Sequence, residues 1–415
     1  MAQTPPLPAA FARLAWSNLA AQSAEQVALA AAPLVAVLAL GAGAGETGLL
    51  QTALTLPYLL FAIPAGLLAD RASRRAMMVA AEALRAAALL AILLLVVTGQ
   101  VTWPLLAALG FVAACGTVAY SVAAPAMVPA LVPPALLGTA NARIELARTT
   151  AFTAGPALGG MLVGWSGAGP AFGLAAGLSL LAAMLLAGLP EPQRQPTPRR
   201  RPLQDIAEGM AFVWRHRLLR PILATQVIFN AAFFVLMAVL VPYAVHRLGL
   251  GASGVGVIMG LYGAGMLVGA LLAPAIMRRV RFGAVVAIGP LSGLAGSVAV
   301  AATVWMPAPA LAALGLFLLG IGPIIWVIST TTLRQSVTPA GLLGRVSSLS
   351  VLATGARPVG AAIGALAGEL WGTEAALLLA VAGFAAQALV ILASPAVRLA
   401  RQPEMADAMP ARAAA

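Results

Sequence analysis

The sequence predicts an all-α membrane protein of twelve transmembrane helices arranged as two six-helix, pseudo-symmetric bundles. Three observations predict it. Of the 415 residues, 61% are hydrophobic and only 9% charged, against about 25% charged in a soluble domain, and the mean hydropathy is +0.98. Apolar stretches of about twenty residues recur from end to end, each long enough to cross a ~30 Å hydrocarbon core. Lipid offers no water to peptide groups, so each stretch must be a helix. Finally, the arginines sort by connection, as loops on one side of a membrane do.

The spans fall at residues 13–40, 46–70, 75–98, 102–129, 138–165, 169–189, 219–246, 252–277, 282–305, 308–331, 343–368 and 373–394. Both termini and every even-numbered connection carry arginine: Arg13; Arg71, Arg74 and Arg75; Arg143; Arg278, Arg279 and Arg281; Arg334 and Arg345; Arg398, Arg401 and Arg412. The connection after span six adds Arg194, Arg199, Arg200, Arg201, Arg215, Arg217 and Arg220. The odd-numbered connections offer Arg247 against Glu46, Glu369 and Glu374. The positive-inside rule then places both termini in the cytoplasm, in a multi-pass protein of the cell (inner, cytoplasmic) membrane.

The net charge of +12 is accounted for by this sorting, so membrane lipid and not nucleic acid is the expected surroundings. All 24 basic residues are arginine, a coding bias more than a chemical choice. The single Cys115 excludes an internal disulfide and a cysteine metal cluster. No cleavable signal is expected: the first apolar segment is too long, lacks a small-residue cleavage site and carries Glu25.

Residues 190–202 (PEPQRQPTPRRRP) form the one strong composition shift and cannot be helix interior. The expected organisation is an N-terminal bundle over 1–189, a cytoplasmic linker over 190–218, a C-terminal bundle over 219–394 and a disordered cytoplasmic tail over 395–415. Within the linker, Leu203, Ile206, Met210 and Val213 share one helical face. That amphipathic helix either lies on the membrane surface or docks on the bundle.

The halves are weak repeats. VPPALLGTANAR (132–143) has a counterpart in VTPAGLLGRVSS (337–348), an offset of about 205 residues. Two six-helix repeats related by an axis along the membrane normal are a transporter arrangement, with the substrate site at mid-membrane between them. Glycines spaced by four (Gly155/Gly159, Gly256/Gly260, Gly265/Gly269, Gly360/Gly364/Gly368) mark faces where helices approach closely.

Gly66, Asp70, Arg71, Arg74 and Arg75, between spans two and three, form a pattern similar to the signature of the major facilitator superfamily, which three segments of the chain resemble over nearly its whole length. Gly155, Pro156, Gly159 and Gly160 are similar to the span-five helix-kink motif of proton-driven exporters. PAMVPALVPPALLGTAN (125–141), with LQDIAEGMAFVWRHRLLR after the linker, resembles the branch holding the enterobactin exporter and macrolide efflux proteins (transmembrane secretion effector type). The resemblance implies an antiporter that exports an amphipathic small molecule, drug or siderophore-like, by alternating access in exchange for protons, acting as a monomer. It also implies that Asp70 and its arginines gate the cytoplasmic side, Asp70 accepting from amides at the start of span eleven. Two features depart from the pattern: span four lacks the arginine of proton-coupled exporters, and span one offers Glu25-Gln26 where many relatives carry aspartate. The second-half copy of the gate has Ala273 and Pro274 where an acid should fall.

Charges inside apolar spans cost about 3 kcal/mol on insertion scales and are functional candidates by default. Asn18, Gln22 and Glu25 follow i, i+4, i+7 on one face of span one, beside Gln26. Glu25 is the candidate proton carrier, preferred over a structural hydrogen-bonded carboxyl. Arg357, expected near mid-span eleven, either pairs with Glu25, receives an anionic substrate group or anchors helix carbonyls. Gln226, Asn230 and Trp326 are further candidate cavity residues, with Tyr58, Phe233, Phe234 and Tyr262 as an aromatic wall. Glu82/Arg85 and Glu145/Arg148 read as intrahelical ion pairs. No nucleophile–base set, metal cluster or nucleotide loop exists in the sequence, so no catalytic residues, cofactor or metal are expected. The alternatives are a lysophospholipid or lipid flippase, a facilitative transporter or an importer of the same fold, and, from another class, a non-transporting membrane scaffold or receptor.

Overall fold

A computed structural model describes residues 7–133, 136–190, 202–339 and 353–403, with the isolated positions 342, 345, 346 and 349. Six helices build the first half: α1 (Ala9–Leu38), α2 (Ala44–Arg71), α3 (Arg74–Val97), α4 (Trp103–Leu131), α5 (Leu137–Ser166) and α6 (Ala168–Ala187). The linker helix α7 spans Pro202–Arg215. The second half contains α8 (Leu219–His246), α9 (Ala252–Arg279), α10 (Phe282–Ala302), α11 (Pro309–Val337), α12 (Ala356–Trp371) and α13 (Thr373–Leu392). No strand occurs among the described residues. Ten of the helices are long and apolar enough to cross a membrane. The other two expected spans are α5, whose first half carries Arg143, Glu145 and Arg148, and α12, 16 residues long.

The packing repeats itself between the halves. In the first, α1 packs on α5 and α6, α3 on α4 and α6, and α2 on α4; in the second, α8 packs on α12 and α13, α10 on α11 and α13, and α9 on α11. The bundles meet through α5 against α9 and α2 against α12, two interfaces that the same pseudo-symmetry exchanges. Side-chain-free positions keep the register. Gly155 abuts Gln26 of α1, and about 205 residues later Gly360 abuts Ala231 of α8. The one-residue joints α5–α6 and α12–α13 share this offset: Gly167 (φ 79°) and Gly372 (φ 89°) adopt a conformation that strains any side chain.

The described contacts between bundles run from mid-helix to the end away from the arginines. Gly160 of α5 lies against Gly256 and Ala252, Gly164 against Ser253, Gly48 of α2 against Ala365 of α12, and Gly45 against Glu369. At that end the Gly43 amide donates to Glu46 (3.1 Å), and Arg247 stands 3.9 Å from Glu374.

Two expectations change. Span eleven is not one α-helix over 343–368: a 3₁₀ turn (Ala353–Gly355) precedes α12, which begins at Ala356. Pro358, which has no amide hydrogen to give, falls in the first turn of α12, where none is needed, so Arg357 sits at that turn and not mid-helix. The linker helix docks on the second bundle. Val213 is buried with Leu219, Val346 and Leu349, Gly209 lies on the Arg345 carbonyl, and Glu208 pairs with Arg345 at 2.7 Å. Met210, expected on the apolar face, is 37% exposed, because Gly209 and Phe212 turn inward instead; Leu203 lies outside the described side chains.

His216 closes the joint between α7 and α8. Its Nδ1 accepts from the Leu218 (3.2 Å) and Leu219 (3.3 Å) amides. Burial pushes its pKa below the ordinary 6.5, because the imidazolium is the form that loses hydration. The folded joint therefore binds the proton less well than the open joint, and its stability is lost as pH falls below about 6.5. Hydrogen exchange at Leu218 and Leu219, corrected for intrinsic rates, is expected to accelerate on acidification. His216→Asn, a cap that does not titrate, should flatten that dependence.

Candidate functional site

Helices α1, α2, α5, α8, α9 and α12 bring charged and aromatic groups together between the bundles. Glu25 of α1 lies deep in the protein yet keeps accessible surface, as a group facing an internal cavity does. Its carboxylate makes no hydrogen bond or ion pair with another described residue. The cations acting on it are Arg85 of α3, most strongly, then Arg357 of α12 and Arg148 of α5.

Arg357 is held from three sides. Its Nε donates to Asn230 Oδ1 at 3.0 Å, and its guanidinium lies 5.2 Å from the Tyr58 ring and 5.5 Å from the Phe234 ring. A cation at a helix N-terminus opposes the helix dipole; the amide oxygen and two aromatic faces compensate. Phe233 joins the wall, 5.2 Å from Tyr262 and 5.6 Å from Phe229. Arg148 donates through Nε to Glu145 (3.0 Å) and covers Phe152 at 5.4 Å. The acid Glu25 thus lies on the first bundle among cations from both bundles, with aromatic rings from both around Arg357 and Arg148.

The structure does not gather every candidate there. Asn18 is buried toward α4, donating to the Tyr120 hydroxyl at 3.4 Å, and Gln26 is packed beneath Gly155. Gln22 stays half-buried on the α1 face with Glu25. Trp326 is buried in the second bundle with Ile222, Phe282 and Val286. It lines, with Gln226, a separate cavity of about 200 Å³ beside the linker helix. The reason is Gly289 of α10, which opens a slot that the indole fills. Among the gate residues, Gly66 has open space around its Cα, whereas the side chains of Asp70 and Arg71, and most of 340–352 where the start of span eleven was expected, lie outside the described residues. Arg75 donates to the Leu189 carbonyl (3.0 Å) and Arg13 to that of Gly188 (2.7 Å), so both cap the end of α6. Arg74 is also engaged. Gly155 and Gly159 face α1, while Gly160 faces α9 of the other bundle.

Sequence reasoning underrated Glu82 and Arg85. They form the expected pair, at 2.9 Å, but both are fully buried. Arg85 also donates to the Ala21 carbonyl of α1 (3.0 Å) and to Thr117 of α4 (2.9 Å). The i, i+3 spacing announces the pair; only the absence of any exposed face on α3 at Ala81 and Ala86 hinted at its depth.

A family model described as Major Facilitator Superfamily matches residues 14–365. The multidrug efflux pump Tap of Mycobacterium tuberculosis is 31% identical over 238 residues, 55% of this chain and 56% of the relative. The enterobactin exporter EntS of Escherichia coli is 28% identical over 240 residues, 58% of this chain and 56% of the relative. The chain thus spans about half the length of the curated relatives it matches. Among solved structures, the nucleoside transporter NupG superposes with a TM-score of 0.73 at 13% identity, over 92% of this chain and 99% of that one. A bacterial homologue of the iron transporter ferroportin, in an inward-facing state, gives 0.68 at 18% identity, over 94% and 99%. Likeness at these identities establishes the fold.

Proposed function

Because the chain belongs to the Major Facilitator Superfamily, and is a transporter and not an enzyme, we propose that it exports an amphipathic small molecule in exchange for protons by alternating access. The observation that carries this is Glu25: a carboxylate at the interface of the two bundles, within reach of three arginines and bonded to none. A buried acid with cations near but not touching takes up or gives away a proton when its surroundings change. Protonated from outside, it leaves Arg357 and the aromatic wall free for a ligand; deprotonated toward the cytoplasm, it restores the charge pair across the cavity.

The names of the efflux relatives support drug-like or siderophore-like cargo. The Tyr58, Phe233, Phe234 and Tyr262 wall suits an amphipathic ring system, and Arg357 suits an acceptor or anionic group on it. In this reading the arginine-rich end is cytoplasmic, in the cell membrane, the protein works as a monomer, and Asp70 with Arg71, Arg74 and Arg75 latches that end. Asn18 and Gln26 then support Glu25 from within the first bundle and do not touch cargo.

The test is transport in proteoliposomes, with cargo chosen by a thermal-shift screen of siderophores, antibiotics and lysolipids. Flux driven by an imposed pH gradient is expected in the wild type. Glu25→Gln should reduce it at least tenfold, about 1.4 kcal/mol or more of lost coupling, while cargo exchange without a gradient continues. Wild-type flux that ignores the gradient identifies a facilitative carrier or a lipid flippase instead.

A further inference from the structure

A second buried carboxylate sits one helix away from Glu25 and shares its arginine. Glu82 and Arg85 are 0% and 2% exposed, yet the pair is incompletely satisfied. Glu82 is held by Arg85 Nη1 at 2.9–3.1 Å and by the Ser179 hydroxyl, but Arg85 Nε and the nearby Asn18 Oδ1 lack hydrogen-bond partners among the described residues. Buried polar groups are normally paired, so an under-bonded cluster around an ion pair calls for a second arrangement in which those atoms are used. Arg85 already reaches toward one. Its Nη1 donates to Ala21 O, the carbonyl one turn before Glu25, and it is the strongest cation acting on Glu25.

The groups around each acid define the exchange. Facing Glu25 are Tyr58 of α2, Arg85 of α3, Arg148 of α5 and Arg357 of α12. Facing Glu82 are Arg85 on its own helix, Tyr120 of α4, Ser179 of α6 and Glu25 across α1. Arg148 has its own carboxylate in Glu145 and Arg357 its own acceptor in Asn230. Arg148 likewise lies between Glu145 and Glu25, but Glu145 is half-exposed; among the described residues Arg85 is the guanidinium set between Glu25 and a fully buried acid. Two carboxylates, one guanidinium and one proton sum to zero, the charge an apolar interior tolerates.

We propose that Arg85 is a positioning residue shared between Glu25 and Glu82, pairing with whichever has no proton. Its guanidinium stays protonated throughout. When it turns from Glu82 to Glu25, the Glu25 O–H bond breaks and a Glu82 O–H bond forms, so one proton moves from the cavity wall into the first bundle. The trio is neutral in both arrangements, and no other reactant is needed. The inference rests on the reading of Glu25 as the proton carrier.

Infrared spectroscopy of the purified protein tests it without a known cargo, through the C=O stretch of a protonated carboxyl near neutral pH. Wild type should show one such band. Glu25→Gln removes it because Arg85 remains on Glu82; Glu82→Gln also removes it because Arg85 turns to Glu25. A Glu82→Gln spectrum that keeps the wild-type band overturns the shared arginine and leaves Glu25 as carrier. A Glu25→Gln spectrum identical to wild type overturns the carrier reading itself. If Glu82→Gln does not fold, the neutral double variant E82Q/R85M serves: the Glu25 band should titrate about one pH unit or more away from wild type, a tenfold change in proton affinity. An unchanged midpoint overturns the proposal.

Discussion

Gly256→Val is expected to drive the two bundles apart at the end away from the arginines and to halt transport without unfolding either bundle. A methyl group at Gly256 would stand 2.8 Å from the Gly160 Cα and 2.8 Å from the Pro156 carbonyl oxygen, both backbone atoms with no rotamer to yield. Valine is bulkier still. Overpacking of this kind costs about 1–3 kcal/mol, and here it falls on an interface between bundles. Alternating states of a transporter differ by only a few kcal/mol, so a cost of this size shifts their populations by about 5- to 150-fold. Spin labels at Trp165 and Trp305, exposed at that end on opposite bundles, should report a longer mean distance in the variant. Gly177→Ala is the control: nothing lies within 4 Å of its added carbon, and distances should not change. Equal distances in Gly256→Val would mean the bundles do not close there.

Arg85→Met is expected to destabilise the first bundle by about 3–5 kcal/mol, the cost of leaving a buried carboxylate without its partner. The loss reaches three helices at once, since the guanidinium also holds the Ala21 carbonyl of α1 and Thr117 of α4. Adding Glu82→Gln to the same chain should recover much of that stability, because no uncompensated charge remains. The readout is the temperature at which monodisperse protein is lost on heating. Equal losses for the single and double variants would show that the guanidinium's bonds to α1 and α4, and not the charge pair, carry the stability.

Much of this architecture was legible without coordinates. Helix positions follow from apolar length, because lipid penalises every departure. The depth of Glu25 was legible for the same reason, since it falls within a long apolar stretch. What escaped was what depends on a neighbour that sequence does not name. Gly289 decides that Trp326 fills a core slot and not the central cavity. Leu189 and Gly188 recruit Arg75 and Arg13 as helix caps, roles that look like topology signals in the sequence. Arg357 was expected near the middle of span eleven; α12 begins one residue before it, at Ala356, and leaves it at the helix mouth. The aspartate of the resembling gate motif remains a proposal drawn from likeness, its side chain lying outside the described residues.

The glycine contacts at Gly155 and Gly360 are near copies, but the charges beside them are not. Glu25, Glu82 and Arg85 belong to the first bundle; Arg357, Asn230 and the phenylalanines of α8 belong to the second. On the proposed reading, the first gene half evolves the fuel line and the second most of the cargo list, to which the first lends Tyr58. Selection for resistance to a new compound should therefore enrich substitutions in α8 and α12 that leave the proton-to-cargo ratio untouched.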